Sequence, residues 1–241
     1  MTALLFEDKF APITSEIGFL ESNPFSCAEA FVSWQTPIHS RRGVSLITSC
    51  VGNQIPSLFT SLLPLTSIER RRYLFAPTRS KWTAYFDNGW AGGDPASTIS
   101  YLAGQMKCRG VRAVCIPHTI KSDANSNRGR YGAVILEVYN GTDSKEHGAD
   151  RSIYVSNDGG RWVFGANGKQ LEFENVETYK ARAVRDRFTP DLFSQYLKAL
   201  GIDVFSDSFY LAPEKAFIVS KVGPAVEGSK EYSLEQARVS F

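Results

Sequence analysis

What most constrains the fold of this chain is a series of short apolar runs, rich in β-branched and aromatic residues and each closed off by Pro, Gly or Asn. Tyr73–Ala76, Trp82–Phe86, Val111–Ile116 and Ala133–Tyr139 recur in this way, and Val44–Val51 and Ala216–Val222 have the same character. Such runs read as strands. Only one clear helical pattern separates two of them, so a β-α-β crossover fits locally but not as the general plan. Further on, Ile153–Asn157 and Arg161–Gly165 flank Asp158-Gly159-Gly160, and Asn167-Gly168 opens a second turn into Leu171–Val176. This pattern predicts a three-stranded antiparallel meander, with Leu171 and Phe173 on one face and Glu172 and Glu174 on a wet one. The expected class is α+β: a mainly antiparallel sheet with a C-terminal meander, packed by two or more helices.

The separating helix follows Tyr85-Phe86-Asp87-Asn88-Gly89-Trp90-Ala91-Gly92-Gly93-Asp94-Pro95. Asp94 has the chemistry of an N-cap and Pro95 that of a first helical residue. Ile99, Leu102, Ala103 and Met106 then share a face. A second helix starts at Thr189-Pro190-Asp191, carries Leu192, Phe193, Tyr196, Leu197 and Leu200 as its stripe, and stops at Gly201. A third is expected near Ala28–Trp34, while Pro56–Pro64 is too interrupted for a long one. Residues 1–222 read as one α+β domain, with the polar stretch 118–131 as a mobile loop where a subdomain break would fall. Residues 223–241 form a polar tail in which Ser233-Leu234-Glu235-Gln236 is a capping box for a short helix.

At 241 residues and 43% hydrophobic, the chain can bury a sizeable core. Its opening residues lack the basic start of a secretory signal, and no stretch approaches the ~20 apolar residues of a membrane span. Cys27, Cys50, Cys108 and Cys115 are scattered without a CxxC pair. Reduced, mostly buried thiols, a cytoplasmic address and no membrane partner are expected.

Catalytic motifs are sparse. The glycines before Pro95 match neither the P-loop nor GxGxxG, and no GxSxG elbow occurs. The spacing of Cys108, Cys115 and His118 fits no zinc finger or ribbon. Neither a cofactor nor a metal is implied. A small hydrolase-like enzyme would have to draw on Asp87, Asp94, Cys115 and His118, where the plainer reading is a turn former, a helix cap, a buried thiol and a solvated imidazole.

Charge is uneven. Between Arg41 and Arg130 stand 13 basic residues against Glu69, Asp87, Asp94 and Asp123. Dispersal over a solvated surface is the plain reading of such a run. If it gathers on one face, Arg70, Arg71, Arg72, Arg79 and Lys81 with Trp82 and Trp90 make a binding surface for an acidic protein partner, since Arg and Trp dominate interface energy. Stacking on those aromatics would suit single-stranded nucleic acid instead. The expected role is non-catalytic binding of another macromolecule, with a toxin-neutralising immunity-type protein as one example.

Overall fold

The computed structural model describes residues 5–120, 129–141 and 148–239. Its centre is a nine-stranded antiparallel sheet with the spatial order β2-β10-β4-β5-β1-β6-β7-β8-β9. In chain order the strands are β1 (Glu16–Leu20), β2 (Ser45–Val51), β3 (Leu65–Thr66), β4 (Arg72–Pro77), β5 (Thr83–Asp87), β6 (Gly110–Ile116), β7 (Ala133–Tyr139), β8 (Arg151–Asp158), β9 (Arg161–Gly168), β10 (Ala216–Val222) and β11 (Glu231–Tyr232). β3 and β11 pair in a small second sheet. The helices are α1 (Pro24–Ser40), α2 (Ile55–Thr60), α3 (Pro95–Met106), α4 (Pro190–Ala199) and α5 (Leu234–Val239). The α+β class and the antiparallel sheet agree with the sequence reading.

The strand that organises the sheet is one the sequence hides. β1 is five residues long and contains Gly18, yet it pairs antiparallel with both β5 and β6. α3 therefore joins two parallel strands that are separated by β1, and α1 precedes β4, which lies parallel to β1 across β5. These two crossovers interlock as split β-α-β units. α1 starts earlier than expected because Asn23 caps it, accepting from the Ser26 N–H at 2.9 Å with Pro24 at the first position.

Both helices lie on one face of the sheet. Phe31, Tyr73, Phe75, Tyr85, Ile99 and Leu102 form the core there. α3 comes unusually close to the strands. A Cβ on Gly18 would fall 2.5 Å from Ile99 and one on Gly110 would fall 2.7 Å from it, so both positions require glycine's missing side chain. The opposite face carries the larger core, where Phe19, Leu74, Phe86, Val111, Leu136 and Ile153 meet α2, α4, the N-terminal segment and the stretch 202–212. Thr189 caps α4 through the Leu192 N–H. Ser233 and Gln236 exchange both bonds of the expected capping box, at 2.8 and 3.1 Å.

One strand expectation is corrected. Leu171–Val176 is a turn running into a 3-10 helix, so the meander is β7-β8-β9. The alternation of Leu171-Glu172-Phe173-Glu174 does not mark a wet sheet face, because Glu174 is buried. Its carboxylate takes both arms of Arg151, at 2.8 and 2.6 Å, the Leu171 N–H at 2.8 Å and the Tyr179 hydroxyl at 3.0 Å. A buried carboxylate with four donors pins an irregular segment that a ladder would otherwise hold. Of the stretch expected to form a mobile loop with a domain break, residues 121–128 lie outside the described residues.

Candidate functional site

The loop between β5 and α3 is built around Asp87 and Asn88, both buried. The Asp87 carboxylate accepts from the Gly89 N–H at 3.0 Å and the Asp94 N–H at 3.1 Å. Asn88 accepts from the N–H groups of Arg71 and Arg72 at 2.8 and 3.1 Å and donates to the Pro64 carbonyl at 2.8 Å. Asp94 occupies the position before α3, but its side chain makes no capping bond. The expected cap is thus corrected: Asp87, seven residues earlier, organises the helix start. Burial raises the Asp87 carboxyl above its usual range, against the pull of Arg70 and the two N–H groups.

The proposed hydrolase residues do not converge. Asp87 projects to the α1/α3 face with Tyr73 and Tyr85, whereas Cys115 packs into the core on the opposite face. Burial pushes the Cys115 thiol up to about 12, which leaves it protonated and poorly nucleophilic. The His118 ring is held by the Gly132 N–H at 3.2 Å and lies beside Trp162. Among the described residues no group of three His, Cys, Asp or Glu side chains could hold a metal ion.

The seven residues of the expected basic-aromatic surface divide between the two ends of β4. Its six residues span about 20 Å. At one end, Arg70 approaches Asp87 at 3.5 Å, and Arg71 donates to Glu69 at 3.2 Å and to the Lys221 and Gly223 carbonyls. Arg72 donates to the Ser61 carbonyl, while Trp90 stacks on Tyr232 at 5.1 Å. At the other end, Arg79 donates to the Leu211 carbonyl and Lys81 pairs with Glu21 at 2.5 Å. Trp82 is a core residue, 1% exposed, with its indole N–H on the Leu200 carbonyl. The neighbouring rings of Tyr85 and Phe86 are equally buried, so they and Trp82 are occupied inside the protein.

Most of the basic excess is matched internally. Glu69 alone faces Arg42 at 3.4 Å, Arg71 at 3.2 Å and Lys221 at 3.6 Å. Arg112 bridges Glu16 at 2.9 Å and Glu137 at 3.2 Å, Arg109 pairs with Glu21, and Arg130 binds Asp8 at 2.6 Å.

A surface that sequence reasoning missed lies on β7-β8-β9. Nine strands are roughly 40 Å wide at ~4.8 Å spacing, and two helices ~10 Å across cannot roof them all. Burial alternates accordingly. Val134, Leu136 and Val138 are buried on the far face, as are Arg151, Ile153 and Val155, but Ile135, Glu137, Ser152, Tyr154 and Ser156 are only half-buried on the helix side. Ile135, Tyr154 and Gly165 are register partners in one row across this bare wing. A Cβ on Gly165 would fall 2.5 Å from the Tyr154 ring, which therefore lies flat across the glycine. Beyond β9 the segment 180–187 exposes Arg182 and Arg185. The alternation of Ala133–Tyr139 was the available signal, but only the width of the sheet shows which faces the described helices leave uncovered.

No helix among the described residues is long and apolar enough to cross a membrane. All four cysteines are free: Cys27 is buried, Cys108 and Cys115 are half-buried, and Cys50 is exposed. Compared with known proteins, the chain matches no family model, no curated protein and no solved structure.

Proposed function

We propose that this chain is a non-catalytic protein-binding protein whose docking surface is the helix-side face of β8 and β9 with the adjoining part of β7 before Tyr139, a face that no described helix roofs. The observation that carries the reading is the row Ile135–Tyr154–Gly165, a half-buried strip that no described helix covers, on a three-strand platform whose other face is core. Tyr154 is the anchor, because a large ring already laid flat loses little freedom on docking. Arg182 and Arg185 are exposed on the segment that follows, Arg185 facing Asp186 at 3.7 Å, and this net positive charge near β9 favours an acidic protein as the partner. Cytoplasmic residence and a toxin-neutralising role remain parts of this proposal; the four unbridged thiols support the first.

Affinity capture from the native cell with wild type, Tyr154→Ala and Ile135→Asp, followed by binding kinetics on the captured protein, tests it. Wild type should retain an acidic protein that both variants lose, with Tyr154→Ala raising the dissociation rate at least tenfold. Arg182→Glu with Arg185→Glu should slow association in a salt-dependent way. Equal capture by wild type and by the folded Tyr154→Ala and Ile135→Asp variants sinks the reading.

A further inference from the structure

The two outer edges of the sheet are not equivalent. β9 begins with Arg161, contains Gly165 and ends at Gly168 with φ +86°, and it lies against the turn Val184–Asp186. These are devices that protect an edge from unwanted pairing. β2 has none of them. Ser45-Leu46-Ile47-Thr48-Ser49-Cys50-Val51 pairs with β10 along its whole length, seven residues without a bulge, and contains no charge, proline or glycine. Ser45 and Ile47–Cys50 are exposed, with Ile47 half accessible. The outer backbone N–H and C=O groups of this strand are a ready template for another strand.

We propose that β2 pairs antiparallel with β2 of a second copy of this chain, joining two nine-stranded sheets across a two-fold axis at Thr48. Three observations select this occupant over a foreign peptide. Each copy offers one such unprotected edge among the described strands, so pairing closes at two chains instead of propagating into a fibre. Both strands are already ordered by β10, which removes the ordering cost that a flexible peptide would bear. The register also sets no like charges opposite each other along the strand. Full overlap about Thr48, the midpoint of the strand, places Leu46 opposite Cys50 and Ile47 opposite Ser49 of the other copy. Arg41 and Arg42 then lie beyond Val51 of that copy, beside its uncharged Gly52-Asn53-Gln54. The interface does not involve Tyr154, so dimerisation and partner binding fail independently.

Sedimentation of the full-length protein over a concentration series provides the test. Wild type should run at twice the 26.7 kDa chain mass. Thr48→Lys, which sets two like charges directly opposite each other on exposed positions, should run as a monomer with an unchanged circular dichroism spectrum. In a Cys50→Ser background, Thr48→Cys should form an interchain disulfide on mild oxidation, because directly opposed Cα atoms are ~4.5–5.5 Å apart, within disulfide reach. A wild type that stays monomeric throughout, a Thr48→Lys protein that remains dimeric, open-ended larger assemblies, or failure of Thr48→Cys to cross-link would each overturn the proposal.

Discussion

The two wings of the sheet bury charge in opposite ways. In the β8 wing, Glu174 has a single cation, Arg151, held by two bonds of 2.8 and 2.6 Å, with a backbone N–H and a tyrosine hydroxyl completing its shell. In the β10 wing, Glu69 faces three cations at 3.2–3.6 Å, and none of the three contacts is bidentate. The first arrangement is matched in charge and geometry, so each partner depends on the other. The second is over-compensated, so losing one cation leaves the carboxylate paired. A matched pair acts as scaffold, and it holds the irregular 171–180 segment next to the β7-β8-β9 platform. A surplus of cations marks where positive charge collects around one acid.

The largest effect should come from breaking the matched pair. Glu174→Gln should cost about 3–5 kcal/mol in chemical denaturation, because it strands the buried Arg151 guanidinium. A loss below about 1 kcal/mol would show that water replaces the carboxylate there and that the wings do not differ.

Asp87 sharpens the comparison, being buried like Glu174 but held mainly by backbone N–H groups. Asp87→Ala should cost about 2 kcal/mol, since the Gly89 and Asp94 N–H groups lose their acceptor. Amide exchange should quicken at those two positions first. Unchanged exchange would mean that the loop is held from elsewhere.

Lys221 tests the surplus. Burial lowers its ammonium to about 8 despite Glu69, with Arg71, Arg42 and His39 nearby and the Tyr73 ring 5.3 Å away. Its folded value is below the unfolded one of 10.5, so the unfolded chain binds more protons between them. Stability should therefore rise with pH from about 8 to 10.5 and lose that gain as pH falls back through about 8. Lys221→Met should abolish this rise and change stability at neutral pH by no more than about 1 kcal/mol. A pH profile identical in wild type and variant would remove Lys221 as its source.

The smallest effect belongs to Asp94, whose side chain caps nothing. Asp94→Ala should stay within about 0.5 kcal/mol of wild type, against the ~1 kcal/mol expected of a true N-cap. A loss of the larger size would restore the capping role.

Local chemistry was legible wherever one short stretch settles the outcome. Thr189-Pro190, the Ser233–Gln236 box and the Asp158-Gly159-Gly160 turn all form as their residues imply, because their bonds join neighbours in sequence. β1 was not legible, since a five-residue run with a central glycine carries little strand signal. Its central place depends on β5 and β6, which lie more than sixty residues away. Trp82 looked like a surface anchor beside Arg79 and Lys81 because β-strand alternation does not reveal which face is roofed. The fold puts α4 over it and closes its N–H on Leu200.

By itself, then, the sequence determined the antiparallel character of the sheet, the starts of α3, α4 and α5 and the absence of known catalytic motifs, all properties of short-range pattern. Tertiary structure decided which carboxylate holds the glycine loop, how the arginines are spent on distant acids, and which wing and which edge of the sheet the described residues leave uncovered. Those outcomes depend on strand order and on sheet width relative to helix width. Such quantities exist only once segments distant in the chain have been brought side by side.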